Sequence, residues 1–405
     1  MPVFAAISDE PFARHEMRYA RLVMSWERVG ERLRRALVAK PTDRGVLATS
    51  ARIPELELAA LERGEATKVS TGALARLARE LSLPPTALWS EDPQTDIELS
   101  LRFRHASVPD FFHADESVAR RAILDARKLA ELDALLGRKT FRTFFEPRPV
   151  AGKPYEDGYK RAREIRRLLA KEGVLQTDSD PLPANLDALV EDFFGIPVVD
   201  APLNTSGVLA LTAKDEPTTA VAIVVNTAAI WSTKPLRRRV DVSHELAHAL
   251  FDAPAQALSV WIDKEDEVTT APHKLPADQV EQRARAVAAE LLLPRDGLRE
   301  LLGPPPAEHA SIKRAVDMVQ RAQARFLSST ELTAHHLQNR GYFPKHLHEE
   351  VVRSAAPLDV GLVSKREPVL VRRTRQALED GVLTAMAARE ILGLPAWAKL
   401  PTAVS

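Results

Sequence analysis

The sequence contains no cysteine among its 405 residues. Disulfides, thiol nucleophiles, iron–sulfur clusters and thiolate zinc sites are therefore excluded, and histidine and carboxylate side chains are the strong metal ligands that remain. An excess of one charge is also lacking, because 56 Lys and Arg residues balance 56 Asp and Glu residues. This balance argues against a polycation that coats nucleic acid or anionic membrane, so we expect any DNA contact to be local.

Long apolar runs are absent as well. No run reaches the roughly 18 residues that a membrane-spanning helix needs, and the opening segment MPVFAAISDE lacks the basic and apolar regions of a signal peptide. We therefore expect a cytoplasmic protein with no membrane partner. Aromatic residues make up only 5% of the chain, while 29 prolines separate segments rich in Ala, Leu and Arg. The length predicts two or three domains, at roughly 100–200 residues each.

The patterning predicts a mainly α fold with a small β-sheet, an α+β class. The β-branched runs VLALTA and TTAVAIVVN are the clearest strand candidates, and we expect them to form a small sheet edge beside the next helix. Four regions are predicted: a module of short helices (20–92), a connecting helical segment (93–146), a mixed α and β domain (147–303) and a helical C-terminal region (304–405).

The strongest functional signal lies in RRRVDVSHELAHALFD, residues 237–252. His244 and His248 are four residues apart, so on a helix both imidazoles project from one face and can ligate one ion at about 2.0 Å. Glu245 is angled toward a metal-bound water, as in the H-E-x-x-H zinc peptidases. The alternative is a pair of core histidines bonded to backbone. That alternative buries two imidazoles and a carboxylate in an apolar helix without the partners that a metal supplies.

Without cysteine, a third ligand must be histidine or carboxylate, and the helix VEQRARAVAAELLLP, residues 280–294, offers one. An apolar stripe at helical spacing passes through Ala284 and Leu291, and Glu281 lies three residues before Ala284 on the same face. Glu281 is therefore the candidate ligand, whereas Glu290 lies off the stripe. The alternative is that Glu281 is an acid near a helix N-terminus, favoured there by the helix dipole.

HELAHALFD, followed by E-x-x-A and A-A-E-L-L-L-P, resembles the ImmA/IrrE family of zinc metallopeptidases. In that family a buried H-E-x-x-H helix precedes a helix of the form E-x-x-A-N-x-F-A-x-x-L-L-M-P. The Asn-ended strand AIVVN and the basic run RRR also match upstream, whereas Arg285, Val287 and Leu293 replace the family's Asn, Phe and Met. The resemblance covers residues 159–294 and continues weakly to residue 394. It implies a zincin-like domain with Glu281 as the third zinc ligand.

The resemblance also implies the chemistry of an endopeptidase. Zinc (Zn2+) held by His244, His248 and Glu281 keeps one position for a water, whose pKa falls toward about 7. Glu245 accepts the proton of this water during attack on a peptide carbonyl and passes it to the leaving amine. Other basic and phenolic side chains are open candidates for stabilising the oxyanion, namely Arg237, Arg238, Arg239, Tyr342, His273, His309, His335, His336, His346 and His348.

Near the N-terminus, ERLRRALVAK, GVLATSARI, LAALERGE and LARLARELSLPPTALW resemble the five-helix XRE-type helix-turn-helix domain, which places a recognition helix in the major groove. The segment that should read bases, PELELAALERG, offers Glu55, Leu56 and Glu57. Carboxylates are repelled by phosphate and apolar side chains make no bidentate base contacts, so protein docking or homodimerisation competes with DNA binding. The nearby basic residues that can still meet phosphate are Arg34, Arg35, Arg44 and Arg52.

The intact metal motif favours a zinc-dependent endopeptidase. By the family resemblance, its substrate is a helix-turn-helix transcriptional repressor, and cleavage switches on stress, phage-related or mobile-element genes. One alternative is a DNA-binding transcription regulator whose peptidase-like domain is a sensor. Another is an antitoxin or immunity partner that acts by docking. An intact metal motif beside a degraded recognition helix favours catalysis over regulation.

Overall fold

The computed structural model of the chain divides into two compact units, residues 1–96 and 97–405. Apart from residues 93–96, the predicted connecting segment, peptidase domain and C-terminal region lie within the second unit, and the boundaries at residues 146 and 303 stay predictions. The chain is mainly α-helical with one small sheet, as predicted. The residues that the structure describes are 26–39, 42–65, 69–81, 88, 100–101, 113–204, 207–215, 218–230, 234–253, 258–264, 276–306, 310–361 and 367–401.

Short helices form the described part of the first unit. They are α1 (Trp26–Ala39), α2 (Arg44–Ala51), α3 (Glu55–Glu62) and α4 (Thr71–Glu80). The predicted stripe on α1 is buried through Val29 and Leu33, which share an apolar core with leucines of the other helices. Asp43 caps α2, since its carboxylate accepts a hydrogen bond from the Val46 backbone N–H at 3.1 Å. Any fifth helix of the predicted bundle lies outside these described residues.

The second unit contains helices and strands, with most of the strands grouped in the middle of the chain and only helices described after the last strand. The helices described there are α5 (His113–Leu135), α6 (Pro154–Lys171), α7 (Leu186–Phe194), α8 (Pro235–Phe251), α9 (Pro276–Leu292), α10 (Arg295–Leu302), α11 (Ile312–Phe326), α12 (Thr330–Asn339), α13 (His348–Ser354), α14 (Val369–Glu379) and α15 (Ala385–Leu392). The strands are β1 (Ser100–Leu101), β2 (Val198–Ala201), β3 (Val208–Asp215), β4 (Ala220–Asn226) and β5 (Leu258–Lys264).

These five strands form one sheet in the order β1-β5-β3-β4-β2. β3 runs antiparallel to β4 and β5, whereas β2 and β1 run parallel to the strands with which they pair. The predicted strands VLALTA and TTAVAIVVN fall on β3 and β4, but the expectation that they form a sheet edge is wrong, because β3 lies in the middle. Every residue of β3 and β4 is buried, which explains apolar runs without polar alternation.

The two faces of the sheet pack against different helices. Successive side chains of a strand point to opposite faces. On one face, Leu211 of β3 shares an apolar core with Ile123 of α5. On the other face, Ile223 of β4 lies in the larger core that includes Leu246 of α8. Thr212 of β3 points to this second face, where its hydroxyl meets α8.

Helix α9 packs closely against α6 and also contacts α8. Gly158 of α6 makes the close approach possible, because a Cβ at this position would lie 2.6 Å from Ala286 Cβ and 2.6 Å from the Arg283 carbonyl oxygen. A residue with a Cβ would therefore push α9 away from α6. This contact sets the position of α9 beside α8.

The C-terminal helices complete the second unit. The segment RTRQALEDGVLTAMAAREILGL falls largely on α14 and α15, in agreement with the predicted closing helices. α14 packs on the predicted connecting helix α5 through an apolar cluster that includes Leu129 and Leu370. Arg373 of α14 also pairs with Asp133 of α5, with Nε 3.0 Å from Oδ1. No helix in the described ranges combines the length and apolar content needed to cross a membrane.

Candidate metal centre

Helix α8 carries the two histidines of the H-E-x-x-H motif. It starts at Pro235, whose fixed φ suits a first helical position, and it is buried along most of its length. His244 and His248 lie one turn apart, and their Nε2 atoms are 3.0 Å from each other. The two residues are only 4% and 1% exposed. Both imidazoles therefore direct a ring nitrogen to one enclosed point.

Glu281 reaches the same point from α9. Its Oε2 lies 3.0 Å from His244 Nε2, and its Oε1 lies 3.2 Å from His248 Nε2. Glu281 is 4% exposed and follows the first turn of α9, so the structure does not place it as an exposed acid at the helix start. The structure thus brings together the three candidate ligands predicted from the sequence, with their potential ligand atoms within 4.8 Å of one another.

The donor set fits a zinc ion. Zn–N and Zn–O bonds of about 2.0–2.2 Å at tetrahedral angles place ligand atoms roughly 3.3–3.5 Å apart. The observed separations among His244, His248 and Glu281 are 3.0–3.2 Å, slightly below that range. Two neutral imidazoles and one carboxylate are also the ligands of a known class of catalytic zinc site, which keeps a fourth position open. A small shift outward of each side chain would accommodate the ion.

Asp252 fixes the tautomer of His248. The Asp252 carboxylate lies at the C-terminal end of α8, and its Oδ2 is 2.5 Å from His248 Nδ1. In the neutral imidazole that a metal requires, a carboxylate there holds the proton on Nδ1, which leaves the lone pair of Nε2 directed at the ligand cluster. Arg283 of α9 binds the other carboxylate oxygen of Asp252, and Lys214 of β3 donates to the Asp252 carbonyl oxygen at 2.5 Å. Three elements therefore hold this one acid in place.

Burial and charge act in opposite directions on these groups. Burial alone lowers the pKa of His248, but the carboxylates of Glu281 and Asp252 outweigh it and raise that pKa well above its usual value. Burial alone raises the pKa of Glu281, but the neighbouring imidazoles lower it well below its usual value. The Glu281 carboxylate thus stays ionised in a buried position, as a metal ligand must. Burial also lowers the pKa of Lys214 to about 7.

Glu245 is fully buried and faces the sheet. The Thr212 hydroxyl of β3 donates to Glu245 Oε2 at 2.5 Å and also lies 2.9 Å from the Glu245 carbonyl oxygen. Burial of Glu245 is complete, at 0% exposed. The central strand therefore orients the carboxylate that is predicted to act as general base.

The other residues considered for oxyanion stabilisation mostly have structural partners. Arg239 donates to the carbonyls of Leu327, Pro183 and Ala184, while the Tyr342 hydroxyl donates to Gly303. Arg237 and Arg238 pair with acids, as Arg237 does with Asp241 at 2.8 Å. His336 is buried beside Glu290, and His335 stacks edge-on with His348. His346 lies in a short 3-10 helix, and His273 and His309 lie outside the described residues.

The four arginines proposed to meet DNA differ in their surroundings. Arg44 pairs with Glu62 through two hydrogen bonds of 2.9 and 2.8 Å, and Arg34 donates to the Glu62 carbonyl oxygen. Arg52 is exposed at the end of α2, with a left-handed φ of 56°. The side chain of Arg35 lies outside the described residues. Two of the four therefore already have partners within their own unit.

Asp252, Arg283 and Thr212 are site residues that the sequence analysis did not identify. Asp252 had a usable signal, since it lies four residues after His248 and therefore on the same helix face. Thr212 had none, because a threonine in an apolar strand is common and only the packing of β3 on α8 brings it to Glu245. Arg283 likewise needs the position of α9.

Residues 192–338 match the family model described as the IrrE N-terminal-like domain, which is a peptidase family. The matched region contains β2 to β5 and the metal cluster on α8 and α9, so the match supports a metallopeptidase-type domain. It does not extend to the first unit, whose resemblance to XRE domains stays a prediction. No curated protein matches the chain.

Proposed function

We propose that this protein is a zinc-dependent endopeptidase whose metal is held by His244, His248 and Glu281. The observation that carries the proposal is the convergence of two imidazole nitrogens and one carboxylate at a single buried point, 3.0–3.2 Å apart. The peptidase-family match over the same helices supports it. The lack of cysteine and the His and carboxylate set favour zinc among the common metals.

The roles of the side chains follow from their positions. When bound, zinc would supply a Lewis acid that polarises the scissile carbonyl and lowers the pKa of a coordinated water toward about 7. Glu245 would take up the proton of the attacking water and deliver it to the leaving amine. Thr212 would hold the Glu245 carboxylate by its 2.5 Å hydrogen bond, and Asp252 would keep the His248 proton on Nδ1.

Metal content and cleavage together test this proposal. Purified protein should carry about one zinc per chain, and it should cleave a helix-turn-helix repressor encoded next to its gene. Glu245→Gln should keep the zinc and lose cleavage by at least about 100-fold, because the general base is absent. Glu349→Gln, a change of the same kind at an exposed position, should keep both the bound zinc and the cleavage activity. Metal-free protein, or cleavage that survives Glu245→Gln, would refute the proposal.

The proposed substrate is a transcriptional repressor of helix-turn-helix type, whose loss switches on stress, phage-related or mobile-element genes. The family resemblance supports this choice, and so does a chain with no net charge, which suits a protein partner better than DNA. The proposed compartment is the cytoplasm, where such repressors act. Detection of a single cut in the repressor by mass spectrometry would identify the bond.

We further propose that the first unit docks protein, either the substrate or a second copy of the chain. Leu56 at the start of α3 is 84% exposed, and it stands between Glu55 and Glu57. An exposed leucine beside two carboxylates suits a protein contact and opposes phosphate. Arg44 is paired with Glu62 and so already has its counter-ion.

Gel-shift titration against the protein's own promoter separates this proposal from a regulatory function. Docking predicts only weak binding that is insensitive to DNA sequence, and Leu56→Ser should weaken capture of the repressor or of the second copy. Val46→Ser provides the control, since Val46 is also exposed, at 51%, but lies on α2. Tight, sequence-dependent DNA binding that survives Glu245→Gln would instead support a transcription regulator with a sensory peptidase-like domain. A stable complex with no cleaved product would support a docking antitoxin or immunity partner.

A further inference from the structure

A pocket opens in the second unit, away from the metal ligands. Its volume is about 200 Å³. One wall is α10 with the turn that follows it, and the other wall is the end of α12 with the turn after that helix. The lining residues are Arg295, Leu298, Arg299, Pro305, Asn339, Arg340 and Tyr342.

The walls are tied together at the base of the pocket. Tyr342 follows α12, is 2% exposed and donates from its hydroxyl to the carbonyl oxygen of Gly303 at 2.9 Å. Gly303 ends α10, so this bond joins the two walls directly. Because the tyrosine is buried and bonded, the pocket is preformed by packing of the surrounding helices.

Positive charge lines the α10 wall. Arg295, Leu298 and Arg299 are spaced three and four residues apart, so they share one face of the helix. Arg295 and Arg299 are exposed, and among the residues that the structure describes neither side chain has a carboxylate within ion-pair distance. Two guanidinium groups thus face the pocket without a counter-ion from this part of the chain.

The third guanidinium at the pocket, that of Arg340, is held by contacts with two other side chains. Arg340 pairs with Glu290 of α9, and it stacks over the ring of Tyr159 with 4.0 Å between the guanidinium carbon and the ring centroid. Glu290 is 1% exposed; burial alone raises its pKa, but His336 and Arg340 outweigh burial and lower it. Glu290 is therefore ionised and neutralises Arg340, which leaves two net positive charges at the pocket.

The three arginines line the same pocket as the tyrosine at its base. Burial raises the pKa of the Tyr342 hydroxyl, and the positive charges of Arg299, Arg340 and Arg295 oppose that rise. With Arg340 neutralised by Glu290, Arg295 and Arg299 remain as like charges that repel each other, and an anion in the pocket relieves this repulsion. The geometry and the charge thus point to the same class of ligand.

We propose that this pocket binds the phosphate group of a small phosphorylated molecule. Two unneutralised guanidinium groups match a phosphate monoester, which carries about −1.5 to −2 charge at pH 7, better than they match a single carboxylate. Their planar donors suit the phosphate oxygens. Pro305, which is partly exposed at the pocket, provides apolar contact for the organic part.

The pocket is separate from the metal centre. Glu281 and Glu290 belong to the same helix, nine residues apart, which is about 13 Å along the axis. None of the residues that line the pocket is a metal ligand. The proposal therefore stands or falls independently of peptidase activity.

Titration calorimetry on the full-length chain tests the proposal, with inorganic phosphate and phenyl phosphate as probes and sodium acetate as the monoanionic comparison, all at constant ionic strength. We expect saturable binding of both phosphate probes and none of acetate at equal concentration. Arg295→Gln and Arg299→Gln should each weaken phosphate binding by about tenfold, the loss expected when one charge-assisted hydrogen bond disappears. Tighter binding of phenyl phosphate supports a phosphorylated organic ligand, whereas equal binding overturns that ligand class in favour of free phosphate.

The matched control is Arg314→Gln, which removes an exposed arginine of α11 that does not line the pocket. It should bind phosphate as the unchanged protein does, and Arg299→Lys should retain most of the affinity. The proposal is overturned if phosphate binding is absent, if acetate binds equally well, or if Arg314→Gln weakens binding as much as Arg299→Gln. It is also overturned if phosphate binds but neither pocket variant alters the affinity, because the anion then lies elsewhere, for example at the metal.

Discussion

Replacing Asp252 by asparagine is the most direct test of how the chain prepares its metal ligands. The Asp252 carboxylate holds two buried partners, His248 Nδ1 at 2.5 Å and the guanidinium of Arg283. Asparagine has nearly the same shape and keeps one oxygen that can accept a hydrogen bond from the Nδ1–H group. The substitution therefore removes the charge of this contact while it leaves the space filled.

Two losses of different size are expected from Asp252→Asn. Without the negative charge the imidazole of His248 is less basic and less firmly oriented, which typically costs 10–100-fold in metal affinity, or about 1.4–2.7 kcal/mol. Arg283 loses its closest acid, although it still donates to the Arg148 carbonyl at 2.7 Å and lies 3.5 Å from Asp157. We therefore expect unfolding of the metal-free protein to be easier by about 3 kcal/mol, the lower end of what a broken buried pair costs.

Competition for zinc against a chromophoric chelator measures the loss of metal affinity. Urea unfolding of the metal-free protein measures the loss of stability. Asp241→Asn is the matched control, because Asp241 is a fully buried acid of the same helix whose partner is Arg237, at 2.8 Å. It should destabilise the fold and leave zinc affinity within about twofold. Should Asp252→Asn bind zinc as tightly as Asp241→Asn does, the assignment of Asp252 as the orienting acid is wrong.

Three further substitutions test other parts of the structure. Thr212→Val removes the hydroxyl that holds Glu245, so kcat should fall about tenfold while zinc content stays the same; unchanged kcat would exclude the positioning role. Burial lowers the pKa of Lys214 to about 7, so from about pH 7 to pH 10.5 the unfolded chain binds more protons than the folded one and the free energy of unfolding rises with pH. Lys214→Met should remove about 2–3 kcal/mol of that rise between pH 7.5 and pH 10, as measured by urea unfolding. An unaltered pH dependence would contradict burial of the amine. Gly158→Ala should destabilise the protein by about 1–3 kcal/mol because α6 and α9 must separate. Gly361→Ala is the control and should not destabilise it, since a Cβ there meets no atom within 4 Å. Equal thermal unfolding temperatures of the two variants would show that the helices tolerate the methyl group.

Local spacing was sufficient to predict the metal-binding helix. His244 and His248 project from one face of any helix that contains them, so their convergence follows from the 3.6-residue period alone. The Glu281 prediction needed more, because it used an apolar stripe to infer which face of a second helix is turned inward. The structure agrees with that inference, and it places Glu281 Oε2 3.0 Å from His244 Nε2.

The stripe gave no indication that Glu290 is buried. That residue lies off the stripe, yet it is 1% exposed and contacts Arg340 and His336. Periodicity within one helix cannot predict this, because the partners come from α12, about 50 residues later in the chain. A buried acid is tolerated when cations reach it, and only the packing of distant helices decides whether they do.

The sequence by itself determined which side chains are available for the candidate metal site. With no cysteine the ligands had to be histidine and carboxylate, and the helical period set two of them on one face. Only the tertiary structure decided how these ligands are held: Gly158 lets α9 approach closely, β3 brings Thr212 to Glu245, and Arg283 anchors Asp252. The physical reason is that spacing along a helix is a local property, whereas contacts between side chains from separate elements depend on how those elements pack.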